Sequence, residues 1–304
     1  MYVGYYLNVW FKGDMKMKIV HAIFMGLIQG LTEFLPVSSS GHLAIFKNLF
    51  NVNTDTGILF DVLLHVATLI AVCVVYYKDV IGMIVEFFKM LGDIIHNFLE
   101  LFKSEKNYRK VISNMHRKLV LMILISSIPT AIIGFTAKKL GLIESLEATL
   151  LAPGIFLIIT AILLFFADRI KEGHKTIKEA TYTDSVFLGI AQGIATMPGL
   201  SRSGTTIFGC LLCKFDRNLA VKYSFLMSLP AIGGAALLEI LDVDTALISS
   251  SDVISYIIGM VVAGIVGYIC IKVMLLIVRK KKFIYFSIYC LVIGLLAVIG
   301  YFMV

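Results

Sequence analysis

Apolar residues are grouped in long segments that recur along the whole chain and are separated by short polar stretches. Each segment is close to the roughly 20 residues that an α-helix needs to cross a bilayer. Long apolar runs joined by short polar loops are typical of a polytopic helical membrane protein. The pattern therefore predicts six full transmembrane helices, at residues 58–77, 119–137, 149–167, 219–240, 253–278 and 283–304.

Two further apolar stretches, 20–46 and 185–212, differ from ordinary spans because a polar cluster interrupts each of them. The cluster is PVSSSG in the first stretch and PGLSRSG in the second. Irregular backbone at membrane depth is tolerated only where protein or water satisfies its polar groups. Both stretches are therefore predicted to be re-entrant helical hairpins.

The two broken stretches are copies of one another. A shift of 163 residues aligns them, with matches of Phe24 with Phe187, Gly26 with Gly189, Gln29 with Gln192, Gly30 with Gly193, Ser38 with Ser201, Ser40 with Ser203 and Gly41 with Gly204. Three predicted spans follow each copy, and an odd number reverses the second copy, as in inverted-topology repeats whose broken helices meet near the midplane. The predicted fold is an all-α integral membrane protein with such a repeat. It is a single polytopic domain, 17–304, with repeat one at about 20–168 and repeat two at about 184–304.

Residues 79–103 show a different pattern, in which acidic residues recur every seven positions among apolar ones, at Asp79, Glu86, Asp93 and Glu100. A spacing of seven keeps these residues on one helical face. A helix with one charged and one apolar face lies in the membrane interface rather than across it. The segment is therefore predicted to be an amphipathic helix on the membrane surface.

Composition and charge agree with a membrane protein. Of the 304 residues, 59% are hydrophobic and 15% are charged, whereas soluble domains have about 25% charged residues. The net charge of +7 comes mostly from short basic loops such as 103–118, 169–178 and 279–282. These loops are predicted to be cytoplasmic, with both chain ends outside, and they argue against a nucleic-acid partner. Residues 1–16 lack the apolar core of a cleavable signal peptide and are predicted to be a dispensable N-terminal extension.

The first polar motif, QGLTEFLPVSSSGH, carries one acid and several hydroxyl groups. Gln29 and Glu33 are four residues apart and share a helical face. A charge in an apolar segment costs about 2.5–3.5 kcal/mol, so Glu33 is a functional candidate. Each of the three serines that follow can cap the next helix, yet together they place hydroxyl and free N–H groups at a helix N-terminus, where an anion binds well. His42, one turn further on, is a second candidate for chemistry.

The second polar motif, PGLSRSGTT, adds a positive charge within an apolar stretch. Arg202 needs an anionic partner there, and its planar guanidinium suits a phosphate or a carboxylate. A structural ion pair with Glu33 is one explanation. A bound phosphate is the other, and it also accounts for the hydroxyl-bearing residues near the arginine, Ser201, Ser203 and Thr206.

The motifs GLIQGLTEFLPVSSSGH and PGLSRSGTT resemble those of the undecaprenyl-pyrophosphate phosphatase family, also called the bacitracin-resistance protein family. The resemblance covers the chain from Met17 onward and includes the family's (E/Q)xxxE element as Gln29 to Glu33. It implies a bacterial plasma-membrane enzyme that converts undecaprenyl diphosphate to the monophosphate at an outward-facing site, recycles the lipid carrier for peptidoglycan synthesis and confers bacitracin resistance. It also implies a divalent cation, Mg²⁺ or Ca²⁺, for which Glu33 is the candidate ligand.

The resulting hypothesis is that Ser39 attacks the terminal phosphorus, Glu33 or His42 accepts its proton, and Arg202 stabilises the charge on the phosphoryl oxygens. The choice of Ser39 over Ser38 rests on the resemblance. The sequence leaves the base open between Glu33 and His42. The predicted substrate-binding residues are Gln29, Ser38, Ser40, Ser201, Ser203 and Thr206.

Some features have other interpretations. Because inverted repeats with broken helices are common in transporters, a lipid flippase or transporter using the same midplane cavity is the alternative function. Asp61 and His65, one turn apart on a predicted span, are interpreted as structural and left out of the site. The sequence leaves both a monomer and a homo-oligomer open.

Overall fold

The computed structural model describes residues 19–50, 57–242, 250–280 and 282–303, and within these ranges the regular secondary structure is helical. The predicted extension, 1–16, lies outside the described residues. The described helices are α1 (Ile19–Phe34), α2 (Ser39–Phe50), α3 (Gly57–Val75), α4 (Tyr77–Glu100), α5 (Met115–Lys139), α6 (Leu142–Glu147), α7 (Leu151–Ala167), α8 (Tyr182–Ile194), α9 (Arg202–Leu212), α10 (Arg217–Asp242), α11 (Ser250–Arg279) and α12 (Ile284–Met303).

Four of the described helices are long and apolar enough to cross a membrane, namely α5 and α12 in full, α10 over Arg217–Leu238 and α11 over Val253–Val278. A fifth candidate is α3 together with α4, which meet at an angle of 92°. The prediction of an all-α, multi-pass membrane protein is thus confirmed. The count of six spans is not confirmed, because the segment 58–77 lies mainly in α3, one of the two helices of this bent pair. The segment 149–167 forms α7, which has 17 residues where about 20 are needed.

The first helices of the two repeats are exchanged between the halves of the molecule. Helix α1 packs on α11, and its repeat equivalent α8 packs on α5. Two equivalent glycines permit the close approach: a Cβ at Gly26 would lie 2.5 Å from the Gly259 carbonyl oxygen, and one at Gly189 would lie 2.2 Å from that of Ser126. Small residues of this kind let membrane helices pack backbone to backbone. The helix before each polar motif is therefore held by a helix that is distant from it in the chain.

The end of α1 is anchored in the main hydrophobic core. Phe34, its last residue, is 2% exposed and packs edge-on against Phe225 of α10, with ring centroids 5.3 Å apart. Leu188 of α8 and Ile207 of α9 belong to the same buried cluster. Because Glu33 directly precedes Phe34, burial of the phenylalanine ring holds the carboxylate-bearing turn in place.

Helix α4 has the amphipathic character that the sequence predicts. Its apolar face is uncovered, with Phe88 64% exposed and Ile95 59% exposed. Its acidic face turns toward α5, where the buried Arg117 donates to Glu86 and to Asp93 at 2.6 Å in both cases. Ion pairs with α5 therefore hold the charged face of α4 against the protein, while the apolar face is available to lipid.

Candidate active site

Both polar motifs form sharp corners, one between α1 and α2 and the other between α8 and α9. Two residues in left-handed conformations turn the chain at these corners, Ser38 with φ of 70° and Gly199 with φ of 95°. The corners touch, since a Cβ at Gly41 would lie 2.7 Å from the Gly199 Cα atom. A left-handed non-glycine residue such as Ser38 is uncommon, and strained residues of this kind cluster at functional sites.

Replacing Gly199 by alanine is expected to destabilise the second corner, where it packs against α7. A side chain is disfavoured at φ of 95°, and the new Cβ would lie 2.3 Å from the Pro153 carbonyl oxygen. Strain and overpacking of this kind cost on the order of 3 kcal/mol, so the variant should melt at a lower temperature in detergent. Gly234→Ala is the matched control, because a Cβ at Gly234 would meet no described atom within 4 Å. Equal melting temperatures for the two variants would contradict the prediction.

Glu33 lies at the centre of the site, with its side chain 1% exposed. Gln29 Nε2 donates to Oε2 at 2.7 Å, Ser39 Oγ donates to the same oxygen at 2.6 Å, and Arg202 Nη2 donates to Oε1. A buried carboxylate needs such partners because its desolvation is otherwise costly. The ion pair that offers one explanation of Arg202 is therefore formed. Arg202 nevertheless keeps 23% of its side chain exposed, so part of its guanidinium remains accessible to an anion.

The serines of the two motifs have different roles. Ser38 Oγ accepts from the Gly41 N–H at 3.2 Å, and the equivalent Ser201 Oγ accepts from the Gly204 N–H at 3.1 Å, so these two serines cap α2 and α9. Ser39 is the first residue of α2 and its hydroxyl is directed to Glu33 instead. A serine hydroxyl bonded to a carboxylate can lose its proton to that carboxylate when it attacks an electrophile.

A partly open cavity of about 150 Å³, lined mostly by polar residues, lies at the two corners. Its wall contains one carboxylate, one guanidinium, one imidazole and six hydroxyl groups, and the N-termini of α2 and α9 reach it through Ser39 and Arg202. Backbone N–H groups at helix N-termini, an arginine and hydroxyl donors together suit a phosphate group. The lining residues are Thr32, Glu33, Ser38, Ser39, Ser40, His65, Ala195, Thr196, Leu200, Ser201 and Arg202.

Four residues that the sequence assigns to the site are not part of this cavity wall. His42 Nδ1 donates to the Ser38 carbonyl oxygen at 2.8 Å, and its Nε2 lies 2.9 Å from the Tyr289 hydroxyl, which donates to it. The other three are Gln29, which is fully buried behind Glu33, Ser203, which lies 3.4 Å from the Leu35 carbonyl oxygen, and Thr206, which bonds to Ser224. Among the described residues, both His42 ring nitrogens thus have partners other than Ser39.

Three polar residues of the cavity wall are absent from the site residues that the sequence predicts, namely Thr32, His65 and Thr196. Thr196 occupies the position equivalent to Glu33 in the second repeat, so the repeat alignment itself points to it. The sequence interpretation of His65 is structural, although an ionisable residue within a membrane span is itself a signal of function. Its Nε2 lies 3.7 Å from Glu33 Oε2.

The donor set does not fit a divalent cation held by the protein alone. Within the described ranges, no group of three or more His, Cys, Asp or Glu side chains is arranged to hold a metal ion. Both carboxylate oxygens of Glu33 are already bonded to protein groups. The buried Oε1 atom of Gln29, on the turn of α1 before Glu33, has no hydrogen-bond partner among the described residues. Protein cages for Ca²⁺ supply six or more oxygens, whereas Mg²⁺ is commonly held by one or two carboxylates together with substrate phosphates.

Comparison with known proteins identifies the family of this chain. The family model described as bacitracin resistance protein BacA matches residues 22–296. The undecaprenyl-diphosphatase of Halothermothrix orenii is 39% identical over 283 residues, which cover 93% of this chain and 98% of that protein. The undecaprenyl-diphosphatase of Alkaliphilus metalliredigens is 38% identical over 278 residues, 91% of this chain and 97% of that protein. With the match spanning nearly the whole chain, the protein belongs to the bacitracin resistance protein BacA family.

Proposed function

We propose that the protein hydrolyses undecaprenyl diphosphate to undecaprenyl phosphate and inorganic phosphate. The observation that carries this proposal is the contact of Ser39, Glu33 and Arg202 in one polar cavity between the two motifs. The names of the relatives support the substrate. The reaction returns the lipid carrier to peptidoglycan synthesis, and it confers resistance to bacitracin.

In the first half of the reaction, Ser39 Oγ attacks the terminal phosphorus while its proton passes to Glu33 Oε2, 2.6 Å away. The bond from phosphorus to the bridging oxygen breaks, and undecaprenyl phosphate leaves. Glu33 rather than His42 is the base, because His42 is bonded to Ser38 and Tyr289. The second half is hydrolysis of the phosphoseryl group by water.

The shared carboxylate couples proton transfer to charge stabilisation. Before reaction, Glu33 neutralises Arg202 through their ion pair. When Glu33 accepts the proton of Ser39 it loses its negative charge, so the positive charge of Arg202 becomes available to the phosphoryl oxygens. Donors aimed at developing charge contribute most to catalysis in a site that excludes water.

In the membrane, the chain forms an inverted-topology repeat with six spans and two re-entrant hairpins, with α4 on the surface. The exchange of α1 and α8 between the halves supports this arrangement. The membrane is the bacterial plasma membrane, both chain ends lie outside, and the cavity opens to the outer face. In a cysteine-free background, a membrane-impermeant thiol reagent should label Glu144→Cys from outside the cell and Lys171→Cys only after permeabilisation. The reverse pattern would overturn this orientation.

A divalent cation belongs in this proposal as a part of the substrate. Mg²⁺ or Ca²⁺ would arrive bound to the diphosphate, because Glu33 alone offers too few oxygens. A chelator is then expected to suppress phosphate release, and either ion to restore it. Calorimetry of the lipid-free protein should detect no tight cation binding, and binding should appear when a non-hydrolysable diphosphate analogue is present. Tight binding to the lipid-free protein would contradict the expectation.

The comparisons give no support to a flippase or transporter as the function of this chain. The decisive experiment is release of phosphate from undecaprenyl diphosphate by the purified protein in detergent. Phosphate and undecaprenyl phosphate should appear in equal amounts. A folded protein that releases none, with Mg²⁺ or with Ca²⁺, would refute the proposal.

A further inference from the structure

His65 projects one nitrogen into the cavity in a fixed tautomer. Its Nδ1 lies 2.8 Å from the Asp61 carbonyl oxygen, and because a carbonyl oxygen only accepts, Nδ1 must carry the proton. In the neutral ring, Nε2 is then a hydrogen-bond acceptor. It lies in the cavity wall, 3.7 Å from Glu33 Oε2. That distance exceeds the 2.7–3.2 Å of a hydrogen bond, and none of the described residues donates to Nε2.

The ring is also fixed relative to the nucleophile. Lys47 of α2 forms an ion pair with Asp61 of α3, and Asp61 lies one turn before His65 on the same helix. Helix α2 begins with Ser39. The ion pair therefore connects the helix that carries the serine to the helix that carries the imidazole.

The second half of the proposed reaction needs a proton acceptor that the first half has not used. Once Ser39 has been phosphorylated, Glu33 holds the proton of Ser39 and cannot accept another from water. His42 is bonded to Ser38 and Tyr289. Among the described residues of the cavity wall, the remaining neutral nitrogen base is His65 Nε2.

We propose that His65 holds the hydrolytic water and accepts its proton in the second half-reaction, a role that rests on the proposed phosphatase function. The water oxygen bonds to phosphorus as its proton passes to Nε2. The bond from phosphorus to Ser39 Oγ breaks, and Ser39 Oγ takes back the proton held by Glu33. The His65 imidazolium then gives its proton to the departing phosphate or to water. This restores the starting site.

The test is whether loss of His65 traps the phosphorylated serine. The variants His65→Gln and His65→Leu are mixed with undecaprenyl diphosphate labelled in its terminal phosphate, quenched with acid, and examined for label on Ser39. We expect turnover to fall by about 10²-fold or more, as for removal of a general base, with phosphoserine accumulating to nearly one per protein. The first release of undecaprenyl phosphate should stay as fast as in the unchanged protein.

His174→Gln is the control, because His174 is an exposed residue outside the cavity. Slow turnover of the His65 variants without accumulated phosphoserine would overturn the proposal, and so would unchanged turnover. Should His65→Leu fail to fold, as judged by its melting temperature, the test relies on His65→Gln, which keeps a polar side chain of similar length. Absence of phosphate release from the unchanged protein would instead be a failure of the phosphatase function itself.

Discussion

The Ser39→Ala protein is expected to fold and to release phosphate about 10⁴- to 10⁶-fold more slowly than the unchanged protein, the range found when members of a serine-based catalytic unit are removed. The hydroxyl of Ser39 is the one that donates to the Glu33 carboxylate, at 2.6 Å. Without it, neither the attacking oxygen nor its route for proton transfer remains. The measurement is the initial rate of phosphate release from undecaprenyl diphosphate.

Variants of two other serines, one adjacent to Ser39 and one outside the cavity, make this prediction specific. Ser38→Ala removes the cap of α2, which typically costs about 1 kcal/mol of stability, but it should retain turnover and still acquire label on Ser39. Ser127→Ala is the control outside the cavity, because Ser127 Oγ donates to the Ile123 carbonyl oxygen within α5 at 2.8 Å. In the protein with both serines unchanged, labelled phosphate recovered on Ser38 would show that the nucleophile has been assigned to the wrong serine.

Replacing Arg202 by alanine is expected to lower the turnover rate by about 10²- to 10³-fold, as for loss of a preorganised group that stabilises developing charge. Arg202 is the only lysine or arginine among the described residues of the cavity wall. Arg202→Lys should recover part of the rate, because lysine keeps the charge but lacks the planar fork that pairs with two phosphoryl oxygens. Arg169→Ala, at an exposed site, is the matched control.

A stability measurement separates the catalytic role of Arg202 from its structural one. Removing Arg202 leaves the Glu33 carboxylate buried without its ionic partner, which destabilises a protein by about 3–5 kcal/mol. Adding Glu33→Gln to Arg202→Ala removes that unpaired charge, so the double variant should regain melting temperature without regaining activity. Recovery of activity together with stability would mean that the ion pair serves only folding.

Much of the molecule can be predicted from the order of its residues. The length of the apolar segments identifies an all-helical membrane protein, because the thickness of the bilayer core leaves few alternatives. Self-similarity at a spacing of 163 residues relates the two broken motifs. Glu33 and Arg202 stand out because isolated charges in apolar segments are costly and need partners. These inferences depend on local composition and spacing, which are properties of the chain itself.

The tertiary structure decided how the candidate residues divide into those that reach the cavity and those that do not. His42 and Ser39 lie on one turn of α2, yet Ser39 faces Glu33 while His42 bonds to Tyr289, a residue 247 positions away. His65 joins the site because packing of α3 brings its ring to 3.7 Å from Glu33. Side-chain direction and contacts between distant segments depend on how the helices pack, and no local pattern in the sequence records that packing.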